Sequence, residues 1–443
     1  MRFLGVGDTN DLAAMYWGLA RRGHDVRVAV RDPAYRDVFA GMLETTNDWQ
    51  HELGWLRQAG RDGVLLFEGA TDGETQDALR REGFNVIGGS AFGDRLEGDR
   101  EFGQSALRAA GMRTASSHVF RDYTAAVDFV RQHPARYVLK LNGANALRTR
   151  NFVGSMDDGL DVIALLQHYQ RAQQAEPGAA DADFVLMEHL QGVEVGVGAY
   201  FNGEAFLSPA CIDFEHKRFF PGDLGELTGE MGTIVSYRTS RRLFDTVLAP
   251  LTAALRDGGY CGYINVNLIA NEAGLWPLEF TSRFGYPGFA ICEALHVQPW
   301  DAVFTTLLGK QELTFQTRDG FAAGVVLTVP PFPYSYGYEA LSKGLPICLR
   351  PGLSQADASA LHFAEVALEG GQLVTSGQSG YVGVATGRGP TPSSANAEAL
   401  RVAQAVAVPN LRYRRDIGDR LAMGEWERLQ RLGWVDSSGP ETA

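Results

Sequence analysis

Cysteine is scarce. The four that occur, Cys211, Cys261, Cys292 and Cys348, lie far apart and form no C-x-x-C pair. Neither a disulfide framework nor a thiolate zinc site is indicated, and a reducing cytoplasm fits. Long apolar runs are missing too: no stretch of about 18 residues is apolar enough to span a bilayer. The opening MRFLGVGDTNDLAAMYWGLARRGHDVRVAV lacks the basic-then-apolar order of an export signal, so neither membrane nor secretion is expected. Positive charge is short, with 40 Lys and Arg against 53 Asp and Glu, a net charge of −13. That balance opposes nucleic acid or an anionic membrane as partner, because both are held mainly through Lys and Arg. The histidines are scattered; His189, His216 and His296 each stand alone rather than at metal-ligand spacing. Internal repeats and low-complexity tracts are also absent.

What is present is a chain of 443 residues, 45% hydrophobic and 21% charged, long enough for two to four structural units with sizeable cores. Periodicity predicts a strand over 3–7, a helix over 11–22 and a strand over 25–30, followed by strands over 63–68 and 85–88 around a helix over 75–82. This makes residues 1–93 a small Rossmann-like parallel α/β domain. Gly5 and Gly7 lack the third glycine of a dinucleotide fingerprint, so tight-turn geometry is the favoured reading of that turn. A helix over 96–110, an apolar strand over 137–140 ending in Lys140, a helix over 157–174 and a strand over 184–188 follow. The next expectation is a hairpin of 193–201 with 205–207 through Asn202-Gly203. FEHKRFFPGDLGELTGEMG, 214–232, reads as a long functional loop. A helix over 241–257 leads into strands over 262–270 and 276–280. Beyond residue 318 a further α/β unit is expected, with strands over 324–329, 372–375 and 380–385 and a helix over 396–407. The last residues, SSGPETA, form a tail.

Five stretches stand in a telling order: LEGDREFGQSALRAAGM at 96–112, VLMEHLQGVEVGV at 185–197, EHKR with TGEMG within 215–232, PLEFTSRFGYPG at 277–288, and LVTSGQSGYVGVATGRG with YRRDIG near the C-terminus. Together they resemble the phosphoribosylamine-glycine ligase family of the ATP-grasp superfamily over most of the chain. The resemblance implies an α/β and α+β multidomain protein: a pre-ATP-grasp domain at 1–93, an ATP-grasp domain at 94–318 with a mobile lid at about 114–186, a ligase-like domain at 319–425 and a tail at 426–443. It implies an ADP-forming ligase that joins a carboxylate to an amine through an acyl phosphate, with ATP and magnesium or manganese. The partners would be the two small-molecule substrates, and the protein a cytoplasmic monomer or homodimer.

Phosphoryl transfer needs positive charge at the phosphates, a metal held by carboxylates and exclusion of water. Lys140 at a strand end, and Arg100 where the resemblance expects a lysine, would supply charge to the phosphates. Glu188, with His189 and Leu190, would meet the adenine edge, and Glu194 the ribose. Glu279 lies in the otherwise apolar PLEF strand, where an unpaired carboxylate is costly and a metal would repay it. Thr281 and Asn265 would complete the metal set. Arg283 is suited to bidentate contact with the transferring phosphoryl group. Lys217 joins it as a catalytic expectation, and Glu215, His216, Arg218, Gly229 and Met231 as substrate contacts.

Departures accompany the match. Gly7-Asp8-Thr9-Asn10-Asp11 stands where the family carries a Gly-Arg-Glu-His type segment. Arg148 and Arg150 stand in place of a glycine-rich loop after Lys140. Tyr286 and Gly288 replace two acids after the Arg-Phe-Gly turn. These changes imply an altered substrate pocket. The competing readings are an authentic phosphoribosylamine-glycine ligase and a non-catalytic nucleotide-binding regulator; a dehydrogenase, resting on Gly5 and Gly7 alone, is distant.

Overall fold

A computed structural model describes residues 1–141, 151–175, 183–309 and 314–436. Arg148, Arg150 and the tail SSGPETA lie outside the described residues, as does most of the small acidic stretch before residue 183.

The chain opens with a five-stranded sheet, all parallel, in the order Glu44–Thr46, Asp25–Val30, Arg2–Gly7, Gly63–Phe67, Val86–Ile87. Apolar residues dominate its central strands because helices cover a parallel sheet; Phe3, Leu4, Val6 and Val64 to Phe67 are fully buried. A Cβ at Gly5 would run into the Tyr16 ring and one at Gly7 into the Glu68 carboxylate. Both lie within the strand and neither takes a positive φ, so close packing, rather than the expected tight turn, explains them.

The expected helix over 96–110 is two helices, Ala91–Gly98 and Arg100–Ala109. Asp99 between them is extended, and its side chain accepts the Phe102 N–H at 3.0 Å. Asp prefers such an N-cap to a helix interior, which places the break there.

A small antiparallel sheet follows, in the order Ser117–Phe120, Phe184–Glu188, Tyr137–Leu141, Phe152–Val153. The helices Tyr123–Gln132 and Leu160–Ala175 cover it. Alternation divides its residues: Tyr137, Leu139, Phe184 and Leu186 pack into a separate core with Val130 and Val162, leaving Val138, Lys140 and Met187 on the opposite face. This unit, called the lid below for the expectation it corresponds to, has its own core and lines one cavity together with the larger sheet.

The larger sheet has eight antiparallel strands, ordered Gly274–Thr281, Cys261–Asn271, Val193–Asn202, Cys211–Glu215, Gly232–Ser236, Phe321–Thr328, Tyr381–Gly389, Leu361–Phe363. Residues after 318 extend this sheet directly, through Gly232–Ser236 pairing with Phe321–Thr328.

Two expectations change here, and one is kept in shortened form. Residues 205–207 turn back on the end of Val193–Asn202 as expected, through the antiparallel bridge Phe201 to Phe206, the Asn202 N–H to the Ala205 carbonyl and the Leu207 N–H to the Tyr200 carbonyl, without forming a full strand. The segment 214–232 is not structureless: Arg218–Phe220 and Leu224–Leu227 pair around a turn containing Gly222 and Asp223, both at positive φ. The helix expected over 241–257 splits into Arg241–Val247, a 3₁₀ turn Ala249–Leu251 and Thr252–Asp257, since Pro250 has no N–H to give. The helices Gly288–Leu295 and Trp300–Leu307 were not anticipated. No helix among the described residues is long and apolar enough to cross a membrane.

Leu186 is fully buried in the lid core, so Leu186→Ala should cost about 2–5 kcal/mol. Amide exchange should rise over Tyr137–Leu141 and Phe184–Glu188 while Val193–Asn202 is unchanged. A second outcome concerns Glu68, which is buried and accepts the Asp11 N–H at 2.9 Å. Burial, reinforced by the Asp11 charge, pushes its carboxyl up to about 8. A raised carboxyl favours the folded state fully only below its unfolded value, and that advantage is lost as pH rises to about 8. Glu68→Gln should therefore gain on the wild type as pH climbs from about 5 to about 8, measured as the difference in Tm.

Candidate functional site

Between the lid and the larger sheet lies a cavity of about 860 Å³. Its lid wall carries Arg136, Val138, Lys140, Met187 and Glu188; the larger sheet gives Glu194, Asp213, Glu215, Asn265, Asn267, Glu279 and Thr281. Register sets these residues in rows across the strands. Asp213 pairs with Gly196, Gly196 with Asn267 and Asn267 with Glu279; beside them Gly198 pairs with Asn265 and Asn265 with Thr281. Alternation points Val193, Val195, Val197 and Ala199 into the core and turns the intervening Glu194, Gly196 and Gly198 to the cavity side. A Cβ at Gly196 would meet the Asp213 carboxylate, and one at Gly198 the Tyr263 hydroxyl. The two glycines make room for polar side chains from neighbouring strands.

Lys217 is the centre of the charge pattern. Its Nζ lies 3.0 Å from Glu194 Oε1, 3.1 Å from Glu215 Oε2 and 3.4 Å from Glu279 Oε1. Burial disfavours its charge, but the three carboxylates outweigh burial and hold the ammonium well above the ordinary lysine range. Lys140 Nζ stands 3.8 Å from Glu279 Oε2. Burial lowers the Lys140 pKa, with Arg100 and Lys217 adding to the fall and Glu279 opposing it. Arg283 Nε is 3.1 Å from Glu97 Oε1, and Arg100 donates to the Met187 sulfur at 3.3 Å. Asn265 donates to Asp213 at 2.5 Å and Asn267 to Glu215 at 3.1 Å.

Arg100, Lys140, Glu188, His189, Leu190, Glu194, Glu215, Lys217, Arg218, Gly229, Asn265, Glu279, Thr281 and Arg283 thus border one cavity. His216 and Met231 do not. The His216 ring is buried and its Nε2 accepts the Gly418 N–H at 3.1 Å; burial and the charges of Arg420 and Arg414 push its pKa down to about 4. Met231 is fully buried against Phe219 and Phe332. The expected basic cluster of 216–218 therefore diverges: His216 packs, Lys217 meets three acids, and Arg218 gives a guanidinium N–H to the Gly225 carbonyl at 2.7 Å. Glu279 also differs from expectation, since its side chain is 41% exposed and faces two ammonium groups, so it is not an isolated buried charge. Three residues were not singled out from the sequence: Asp213, Glu230 and Glu97. The alternation Ile212-Asp213-Phe214-Glu215 carried a signal for the first, which shares a strand face with Glu215. Nothing local marked Glu97, whose partner Arg283 is 186 residues away.

A shallower depression of about 920 Å³ lies elsewhere, bordered by Cys348, Arg350, Val408 and Tyr413. Its one charged group, Arg350, already donates through Nε to the Gln404 carbonyl, so it lacks the convergence of charges seen beneath the lid.

Residues 98–289 match the family model for the phosphoribosylglycinamide synthetase ATP-grasp (A) domain. The chain is 28% identical over 353 residues to phosphoribosylamine–glycine ligase of Chlorobaculum tepidum, covering 77% of this chain and 79% of the relative. Against the Rhizobium meliloti enzyme of the same name it is 27% identical over 440 residues, covering 96% and 100%. Among solved structures, phosphoribosylamine–glycine ligase of Thermotoga maritima superimposes with a TM-score of 0.69 at 24% identity, covering 94% of this chain and 100% of that one. The biotin carboxylase domain of Hydrogenobacter thermophilus 2-oxoglutarate carboxylase, a structure with MgADP and bicarbonate, gives a TM-score of 0.62 at 11% identity, covering 98% and 95%. At those identities the two structures speak for the fold, which is ATP-grasp. Residues 98–289 thus match an ATP-grasp domain of the phosphoribosylglycinamide synthetase type, and over most of its length the chain is similar, at under 30% identity, to phosphoribosylamine–glycine ligases.

Proposed function

We propose that the protein is an ADP-forming carboxylate–amine ligase: a carboxylate oxygen takes the γ-phosphoryl group of ATP, and an amine displaces phosphate from the acyl phosphate to form an amide. The observation that carries this reading is the convergence of Lys140, Arg100, Arg283 and Glu279 on one covered cavity. In that reading Lys140 of the lid and Arg100 at the start of the helix Arg100–Ala109 hold the phosphates, the segment Glu188 to Leu190 lies along the base, and Arg283, braced by Glu97, aligns the transferring group. The lid excludes water from the activated carboxyl.

Among the described residues no set of three or more His, Cys, Asp or Glu is arranged to hold a metal by itself. The donors at Glu279, Thr281 and Asn265 are all hard oxygens, and Glu279 is open to the cavity. They fit Mg²⁺ or Mn²⁺, which accepts one or two carboxylates alongside phosphate and water oxygens. Such an ion would neutralise charge on the phosphates as they transfer. Lys217 orients Glu279 for that duty by fixing one of its carboxylate oxygens. With Glu194 held by the same ammonium, its expected contact to a ribose would compete with the ion pair.

Tyr286, Gly288 and the Asp8 to Asp11 turn support a substrate pair other than the family's usual one. The names of the full-length relatives favour a second reading, in which the pair is phosphoribosylamine and glycine.

Glu279→Ala should lower substrate-dependent ADP release by at least about 100-fold, the scale of a lost electrostatic stabiliser; unchanged turnover would remove Glu279 from the site. Growth of a strain lacking phosphoribosylamine–glycine ligase separates the two readings. Under the changed-pair reading the gene fails to restore growth without purines, whereas rescue establishes the second.

A further inference from the structure

The stretch LVTSGQSGY, 373–381, stands out in the sequence but takes no part in the chemistry above. Its loop is built around one carboxylate. Glu365 Oε2 accepts the backbone N–H groups of Gln378, Ser379 and Gly380 at 3.0, 2.7 and 3.2 Å, and Oε1 accepts the Ser379 hydroxyl. Successive backbone N–H groups that converge on one oxygen form the kind of concavity in which proteins hold phosphate. Gly377 and Gly380 permit the shape, at φ of 67° and 87°, and a Cβ at Gly377 would run into the carboxylate.

The occupant of this cradle is an expensive one. Glu365 is 8% exposed and makes no ion pair among the described residues. The Gly377 N–H donates to Asp37 at 3.2 Å, and Asp37 with Glu339 already holds Lys343. Burial pushes the Glu365 carboxyl up to about 7, against the bonds from Ser379, Gly380 and Gln378; a buried carboxylate without a cation is costly. The cradle also stands close behind the cavity wall. Tyr286 borders the cavity, its ring lies 5.2 Å from that of Tyr381, and the Tyr381 N–H donates to the Ser379 hydroxyl at 3.4 Å. On its other side Gln378 reaches the Ala34 carbonyl of the parallel-sheet domain at 3.4 Å.

We propose that Gln378 to Gly380 form a phosphate cradle plugged by the chain's own Glu365, and that the plug determines specificity by turning away a substrate that carries a phosphate. The inference rests on the ligase reading, which brings the substrates to the adjoining cavity, and it favours the changed substrate pair. An incoming phosphate needs the same three N–H groups and meets an anion already seated on them, a charge built against the wrong partner.

The test removes the plug. Glu365→Ala frees the donors, whereas Glu365→Gln removes the charge and keeps the space filled. The full-length wild type and both variants are saturated with a non-hydrolysable ATP analogue and Mg²⁺, so that the nucleotide site is occupied. They are then titrated calorimetrically at pH about 8 with inorganic phosphate, ribose 5-phosphate and ribose. The expected result is saturable binding of both phosphate probes to Glu365→Ala, at least about tenfold tighter than to the wild type or Glu365→Gln, the scale of a hydrogen bond to a charged group; ribose binds to none. Should Glu365→Ala be too unstable to titrate, its Tm is compared in phosphate and in chloride of equal ionic strength, where phosphate should raise it more than it raises that of the wild type or of Glu365→Gln. Phosphate probes that bind the wild type as tightly as Glu365→Ala, or that change neither the titration nor the melting of Glu365→Ala, would overturn the proposal. A wild type that takes up no ATP analogue would instead overturn the ligase reading, with the comparison of the variants in phosphate still standing by itself.

Discussion

One ammonium group organises the site. Lys217 is held at once by Glu194 from Val193–Asn202, Glu215 from Cys211–Glu215 and Glu279 from Gly274–Thr281. These strands bring the acids together because Cys261–Asn271 lies between the first and the last of them, and Val193–Asn202 pairs directly with Cys211–Glu215. Without the lysine, three carboxylates would face one another; removing one member of a buried ion pair costs about 3–5 kcal/mol, a figure that the partial exposure of Glu279 reduces. The same contact leaves Glu279 poised between Lys217 and Lys140, so the larger sheet and the lid share one carboxylate.

That arrangement separates two kinds of polar group. Some are satisfied within the protein: Lys217 by its acids and Arg283 by Glu97. Others, Asp213 Oδ1 and the Tyr286 hydroxyl, are buried without a partner. The small antiparallel sheet that walls one side of the cavity has a core independent of the larger sheet.

Much of this was legible in the sequence, and for physical reasons. Strands such as Asp25–Val30 and Phe184–Glu188 announced themselves by short apolar runs, and Lys140 and Glu279 by charge at the end of, or within, such runs. The segment 214–232 misled because its hairpin is short and glycine-rich, so it shows no long alternation even though its backbone is paired. The break at Asp99 was signalled by Gly98-Asp99, a poor helix former followed by an N-cap residue, but the helix formers farther out on each side carried the apolar period through it. His216 was read from its basic neighbours, but burial against residues some 200 positions away decided its place; no local pattern encodes that contact. The pairing of Glu97 with Arg283 was invisible for the same reason.

The central claim is that the lid and the larger sheet close around ATP with its phosphates beside Lys140, Arg283 and Glu279. Determining the structure with Mg²⁺ and a non-hydrolysable ATP analogue tests it most directly. The account predicts the base along Glu188 to Leu190 and the terminal phosphate between Lys140 and Arg283, with the metal on Glu279. A nucleotide bound at the C-terminal edge of the parallel sheet near Gly5 and Gly7, with the cavity beneath the lid empty, would contradict it.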